Sequence, residues 1–195
     1  MKKELGNFHS VEYLKNWLRD QSIDLDKWNC GRAKSVDNLF DEINKGESSL
    51  QIQPPLRVVK VVQVLIFQGK SILVELEQEF NDYRIRKRNL PPSEKIKPGE
   101  DCLVAARRCL NEELQIPIKN IEINKNDCQP LIRYRKSRSY PGLKSKYYIY
   151  RVEAAVIGLP TGNFWSDEKS KAGEANIIHR HHWGWRNLTK IKYPD

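Results

Sequence analysis

Between residues 56 and 67 the chain reads LRVVKVVQVLIF, and so dense a run of β-branched residues favours extended backbone. Gly69 and Lys70 supply a turn before SILVELEQEF, so the two segments are expected to pair as a β-hairpin. Arg57, Lys60 and Gln63 interrupt the first run, which falls short of the roughly 20 apolar residues needed to cross a bilayer. A third strand is expected over residues 83–88, where alternation places Arg84, Arg86 and Arg88 on one face. Residues 121–123, 131–134 and 147–157 are further strand candidates, and residues 101–114 between the two sets read as a helix. Strands on both sides of a central helix imply an α/β fold with a mixed sheet flanked by helices.

Upstream of this region the periodicity is helical. Val11, Leu14, Trp17 and Leu18 share one face over residues 10–20, with Ser10 placed as N-cap. Val36, Leu39, Phe40 and Ile43 do the same over residues 35–45, and Gly46 is placed as the stop. Gln53, Pro54 and Pro55 form a stiff connection, which divides the chain into an N-terminal helical extension, 1–53, and a main domain, 54–195. The start of the chain is too polar for a secretory signal, and Glu4 argues against a transit peptide, so a cytoplasmic or nuclear location is expected. Cys30, Cys102, Cys109 and Cys128 contain no CxxC pair, and free thiols rather than a zinc site or disulfide framework are expected. The formal charge of +9 favours anionic partners, such as nucleotides, RNA or an acidic protein surface.

The stretch SEKIKPGEDCLVAARRCLNEELQI, residues 93–116, carries the chemistry. Leu103, Ala106, Leu110 and Leu114 give its helix one face for a sheet, and Cys102, Ala105, Cys109 and Glu113 line the neighbouring face. Residues four apart stack, so Glu113 projects with Cys109 and Glu112 meets Arg108. Glu100 stands just before the helix. Carboxylates so grouped are the oxygen donors that Mg²⁺ takes beside a phosphate.

At these residues the chain resembles the Nudix hydrolase superfamily, whose signature is matched at Glu100, Arg108, Leu110, Glu112, Glu113 and Ile116. The resemblance implies a Nudix-like α/β/α sandwich, with Glu112, Glu113 and Arg108 as the catalytic set and Glu100, Glu112 and Glu113 as ligands of Mg²⁺. Arg84, Arg86, Arg88, Arg133 and Arg135 would then hold the substrate's phosphates. Three positions depart from the signature. Glu94 and Gln115 stand where the family has glycine, and Cys109 replaces a glutamate that helps to hold the metal. A neutral thiol is a poor partner for a hard cation, so Mg²⁺ is expected to bind weakly, unless Glu94 compensates from the loop. The expected function is therefore a nucleotide-, RNA- or protein-binding module with little or no hydrolysis. The alternative is a divergent Mg²⁺-dependent hydrolase of a nucleoside diphosphate linked to another moiety, and a structural subunit of an RNA-containing assembly is a third reading.

Two further clusters stand out. Arg133, Arg135, Lys136, Arg138, Lys144 and Lys146 interleave with Tyr134, Tyr140, Tyr147 and Tyr148, a mixture suited to phosphates and stacked bases as well as to a sheet face. His179, His181 and His182 stand beside Trp183 and Trp185, and packing by the tryptophans is expected there in preference to a metal site.

Overall fold

A computed structural model describes residues 5–31, 33–124, 128–169 and 178–187; Glu4 and the outer ends of the two expected domains lie outside these. The extension forms α1 (Val11–Asp20) and α2 (Val36–Asn44), capped by the side chains of Ser10 and Ser35. Asn38 returns the bond of Ser35 in a capping box, and Gly46 follows α2 at φ +67°, a left-handed conformation that glycine adopts without steric cost. Leu14, Leu18, Trp28, Leu39 and Leu50 form a core here, together with Tyr140 and Leu143 from far along the chain.

The main domain contains two sheets. In the first, β2 (Leu56–Leu65) pairs in parallel with β9 (Lys144–Val156). Four strands add to this pair in antiparallel fashion: β1 (Ser49–Gln51) and β6 (Ser93–Lys95) on β2, β7 (Ile121–Ile123) and β8 (Pro130–Lys136) on β9. The second sheet is antiparallel throughout. Its long strands are β4 (Ser71–Phe80) and β11 (Ile178–Asn187), extended by β3 (Phe67–Gln68), β5 (Ile85–Leu90) and β10 (Phe164–Asp167). The mixed α/β architecture expected from the sequence is the one the chain adopts.

The expected hairpin is corrected in one respect. Only Phe67–Gln68 pairs with β4, because the chain leaves the first sheet at the buried Ile66 and β2 and β4 belong to different sheets. Periodicity cannot show this, since β-branched residues suit either sheet. The helix α3 (Cys102–Glu113) packs on β2, β6 and β9, with Asp101 as its N-cap. Ala105, Ala106, Cys109 and Leu110 on this helix meet Val62, Val64 and Val152 of the first sheet and Leu73 and Trp183 of the second. The C-terminal end of α3 thereby lies where both sheets can reach it. Among the described residues no helix is long and apolar enough to cross a membrane.

Free thiols were expected at all four cysteines. Cys109 is free and buried and Cys30 free and exposed, but Cys102 and Cys128 form a disulfide. Their separation of 26 residues hid the pairing, which joins the first residue of α3 to a cysteine just before β8.

Candidate functional site

A cavity of about 470 Å³ opens beside the C-terminal half of α3. Arg108 and Glu112 reach it from the helix, Glu94 from β6, Arg86 and Arg88 from β5, and Glu168 and Lys169 from the residues after β10. The segment after β10 is tied to α3: Lys169 N–H donates to the Glu112 carbonyl at 3.1 Å, and Ser166 Oγ donates to the Glu113 carbonyl while accepting from Trp183 Nε1. Gln115 adds a bond to the Asp167 carbonyl, 2.8 Å, and ends the helix at φ +56°. The left-handed turn is thus made without glycine, at a conformational cost that the bond to Asp167 offsets.

Arg108 organises the near wall. Its guanidinium donates to both oxygens of Glu100 (2.8 and 3.0 Å), to Glu112 at 3.1 Å and to the Lys95 carbonyl at 2.7 Å. Glu100, expected among the metal ligands, also accepts from Lys97 N–H and does not line the cavity. The bond from Arg108 holds its carboxyl below the usual range, so Glu100 acts as a brace for that arginine. Glu112 does face the cavity. Glu113 also lines the cavity, but on the Cys109 side of the helix, and is almost wholly buried.

Behind Glu113 lies a buried cluster that the sequence reading missed. His181 Nδ1 is 2.5 Å from Glu75 Oε1, and His181 Nε2 is 2.6 Å from Glu168 Oε2. Arg88 Nε pairs with the other oxygen of Glu75 at 2.9 Å. Burial works against a charged imidazole, but the hydrogen bonds to Glu168 and Glu75 outweigh it and raise the His181 pKa to about 9. At neutral pH this histidine is a fixed internal cation. Burial, with Glu75 nearby, pushes the Glu113 carboxyl well above its usual range, and burial likewise keeps the Cys109 thiol protonated. Burial also raises Glu94, although the Lys95 N–H and Arg108 oppose it. The one sequence signal for this cluster was Glu75, a carboxylate within the apolar run ILVEL.

The other expected site residues separate. Arg86 donates to Gln78 (Nε, 2.7 Å) and reaches the cavity with Arg88, whereas Arg84 precedes β5, pairs with Asp82 at 2.6 Å and lies over Phe80. The expected single face of three arginines is therefore corrected: the strand begins only at Ile85, and the register shifts between Glu75 and Glu77. Arg133 and Arg135 line a second cavity next to the first. The three histidines diverge, His182 stacking on Trp165 with ring centroids 4.5 Å apart while His181 points inward.

The donor set does not fit Mg²⁺ as it stands. Among the described residues no three His, Cys, Asp or Glu side chains come together as a metal cluster. Both ring nitrogens of His181 are engaged with carboxylates, Glu112 is paired with Arg108, and Glu113 is driven towards its neutral form. The arrangement can hold an anion. Arg86, Arg88, Lys95, Lys97, Arg108 and Lys169 all line the cavity, five glutamates notwithstanding.

No family model matches the chain, and no curated protein matches its sequence. Among solved structures it is similar to a binary complex of a C. elegans Ap4A hydrolase, with a TM-score of 0.37 and 21% identity over 67% of this chain and 81% of that one. It is also similar to a NUDIX hydrolase from Nitrosomonas europaea, with a TM-score of 0.41 and 17% identity over 68% and 74%. A NUDIX-family hydrolase from Clostridium perfringens gives a TM-score of 0.38 and 16% identity over 70% and 85%.

Proposed function

We propose that this chain is a Nudix-like domain that binds a phosphate-bearing ligand, a nucleotide in the first instance, with little or no hydrolysis. The observation that carries this reading is the internal cation at His181. Its two bonds, with those of Arg88 and Arg108, already compensate Glu75, Glu168 and Glu112, so a divalent ion entering the cavity would have to displace protein cations. Three of the groups at this site are also unsuited to act as a base. His181 is protonated and Glu112 is ion-paired, while Cys109 is inert under its burial. Arg86, Lys97 and Lys169 line the same cavity, and such side chains are suited to phosphate oxygens.

The test is phosphate release from a panel of nucleoside diphosphate derivatives with and without Mg²⁺, run beside calorimetric binding of ADP in the absence of metal. Binding without turnover is expected. Efficient Mg²⁺-dependent turnover would instead establish the divergent hydrolase. Cys109→Glu sharpens the choice, because it places a carboxylate one turn before Glu113 in a fully buried position. An unpaired buried carboxylate is costly, so melting temperature is expected to fall with no gain in Mg²⁺ affinity. A stable variant with tighter Mg²⁺ binding and new turnover would overturn the reading.

A further inference from the structure

The two faces of the first sheet are not covered alike. Its register sets Lys60 beside Tyr148 and Val58 beside Lys146, while Ile132, Tyr134 and Lys136 of β8 stand opposite Tyr148, Lys146 and Lys144 of β9. Side chains two apart along a strand share a face, so these residues continue the face that Val62, Val64 and Val152 turn towards α3. At this end of the sheet the other face belongs to the N-terminal extension, where the buried Arg57 pairs with Glu42 of α2. The α3 side is open there: Tyr134 is 60% exposed and Ile132 43%, and Lys60, Lys136 and Lys144 are exposed as well.

Aromatic rings and cations alternate on this open face. Lys146 Nζ donates to Tyr148 Oη at 2.6 Å and lies 4.5 Å from the centre of that ring and 5.7 Å from the centre of the Tyr134 ring. One cation thereby holds two rings side by side on the sheet. Lys136 and Lys144 are like charges directly opposite each other, an arrangement that costs stability. The register rows that hold Lys60, Lys136 and Lys144 contain no Asp or Glu, and among the described residues these three lysines form no ion pair. Phosphates relieve repulsion of this kind, and bases stack on exposed rings, because every base has a π-face. An acidic peptide would answer the charge and leave the rings without a stacking partner. A duplex keeps its base faces inside the helix, whereas an unpaired strand presents them.

We propose that this face binds a single-stranded nucleic acid, with bases stacked on Tyr134 and Tyr148 and the phosphate backbone held by Lys60, Lys136 and Lys144. Lys60 flanks Tyr148, and the pair of Lys136 and Lys144 follows Tyr134 along the strands, so the two rings have cations on either side. None of these residues lines either cavity, and the site does not depend on the function proposed above.

The experiment uses the full chain and a fluorescein-labelled oligouridylate of about 12 nucleotides, read by fluorescence anisotropy without metal. Tyr134→Ala should weaken binding about tenfold, while Tyr134→Phe, which keeps the ring, should bind as the unaltered chain does. Lys60→Gln/Lys136→Gln/Lys144→Gln should lower the slope of log affinity against log salt by about 2, and the exposed Tyr134 carries the test if this variant does not fold. Oligothymidylate competing as well as oligouridylate would assign single strands of either sugar as the ligand, and weaker competition would assign RNA. A chain that binds oligouridylate but not ADP would defeat the first proposal and leave this one standing. Absence of oligouridylate binding overturns the inference, as does binding that Tyr134→Ala leaves unchanged or that Arg86→Gln, a first-cavity variant, abolishes. Equal competition by a duplex or by a polyglutamate peptide also overturns it, since neither offers bases to the rings.

Discussion

Two buried carboxylates, Glu42 and Glu113, share a side chain and a degree of burial but respond oppositely to their surroundings. Glu42 joins the helical extension to the first sheet. Arg57 approaches it at 2.5 Å, Lys34 at 2.8 Å and Lys95 at 3.4 Å. Burial disfavours its charge, yet these three cations prevail and bring the pKa down to about 2. Glu113 sits among Glu75 and Glu94 with His181 and Arg88 for relief, and burial prevails, so its carboxyl is driven up. A buried carboxylate surrounded by cations ties two parts of a fold together. One surrounded by carboxylates is held at a cost, as is common where a fold carries a ligand site.

The same substitution should therefore act with opposite sign at the two positions. Glu42→Gln leaves Arg57 buried without its counter-charge, and breaking such a pair costs about 3–5 kcal/mol, which urea unfolding at pH 7 would measure. A loss below about 1 kcal/mol would show that Lys34 and Lys95 do not make Glu42 a structural anchor.

The pH dependence gives the next largest effects. The folded pKa of Glu42 is depressed, so its stabilisation is present above about 4.5 and is lost as pH falls towards 2, about 3 kcal/mol in all. The folded pKa of His181 is raised, so its stabilisation is complete below 6.5 and is lost as pH rises through about 9, again about 3 kcal/mol. Denaturation at a series of pH values should show both arms. Glu42→Gln should flatten the acid arm alone and His181→Gln the alkaline arm alone; if either variant flattened both, the two clusters would not be independent.

Glu113→Gln should raise stability at pH 7, since folding must either bury the ionised carboxyl or protonate it and the amide avoids both. A fall in melting temperature would mean that Glu113 is needed as an anion by His181 and Arg88. The smallest effect is expected at Gln115→Gly. Relief of the positive φ gains about 1 kcal/mol, and loss of the bond to the Asp167 carbonyl forfeits a similar amount, leaving melting temperature nearly unchanged. A clear destabilisation would make the tie between α3 and β10 stronger than the helix-end geometry implies.

What the residues alone determined was local. The Ser10 cap, the α3 helix after Asp101 and the β-branched strands follow from spacing and side-chain type, because capping and periodicity act within a few residues. The pairing of Arg108 with Glu112 was legible for the same reason, as the two are one helical turn apart. Tertiary structure decided the rest. The division of strands between two sheets, the disulfide from Cys102 to Cys128, and the diversion of Glu100 to Arg108 depend on contacts that no short-range pattern encodes. The His181 cluster is the clearest case. Glu75 and His181 are 106 residues apart, and only the antiparallel register of β4 and β11 brings a carboxylate and an imidazole to one buried point, where low polarisability makes their charges decisive.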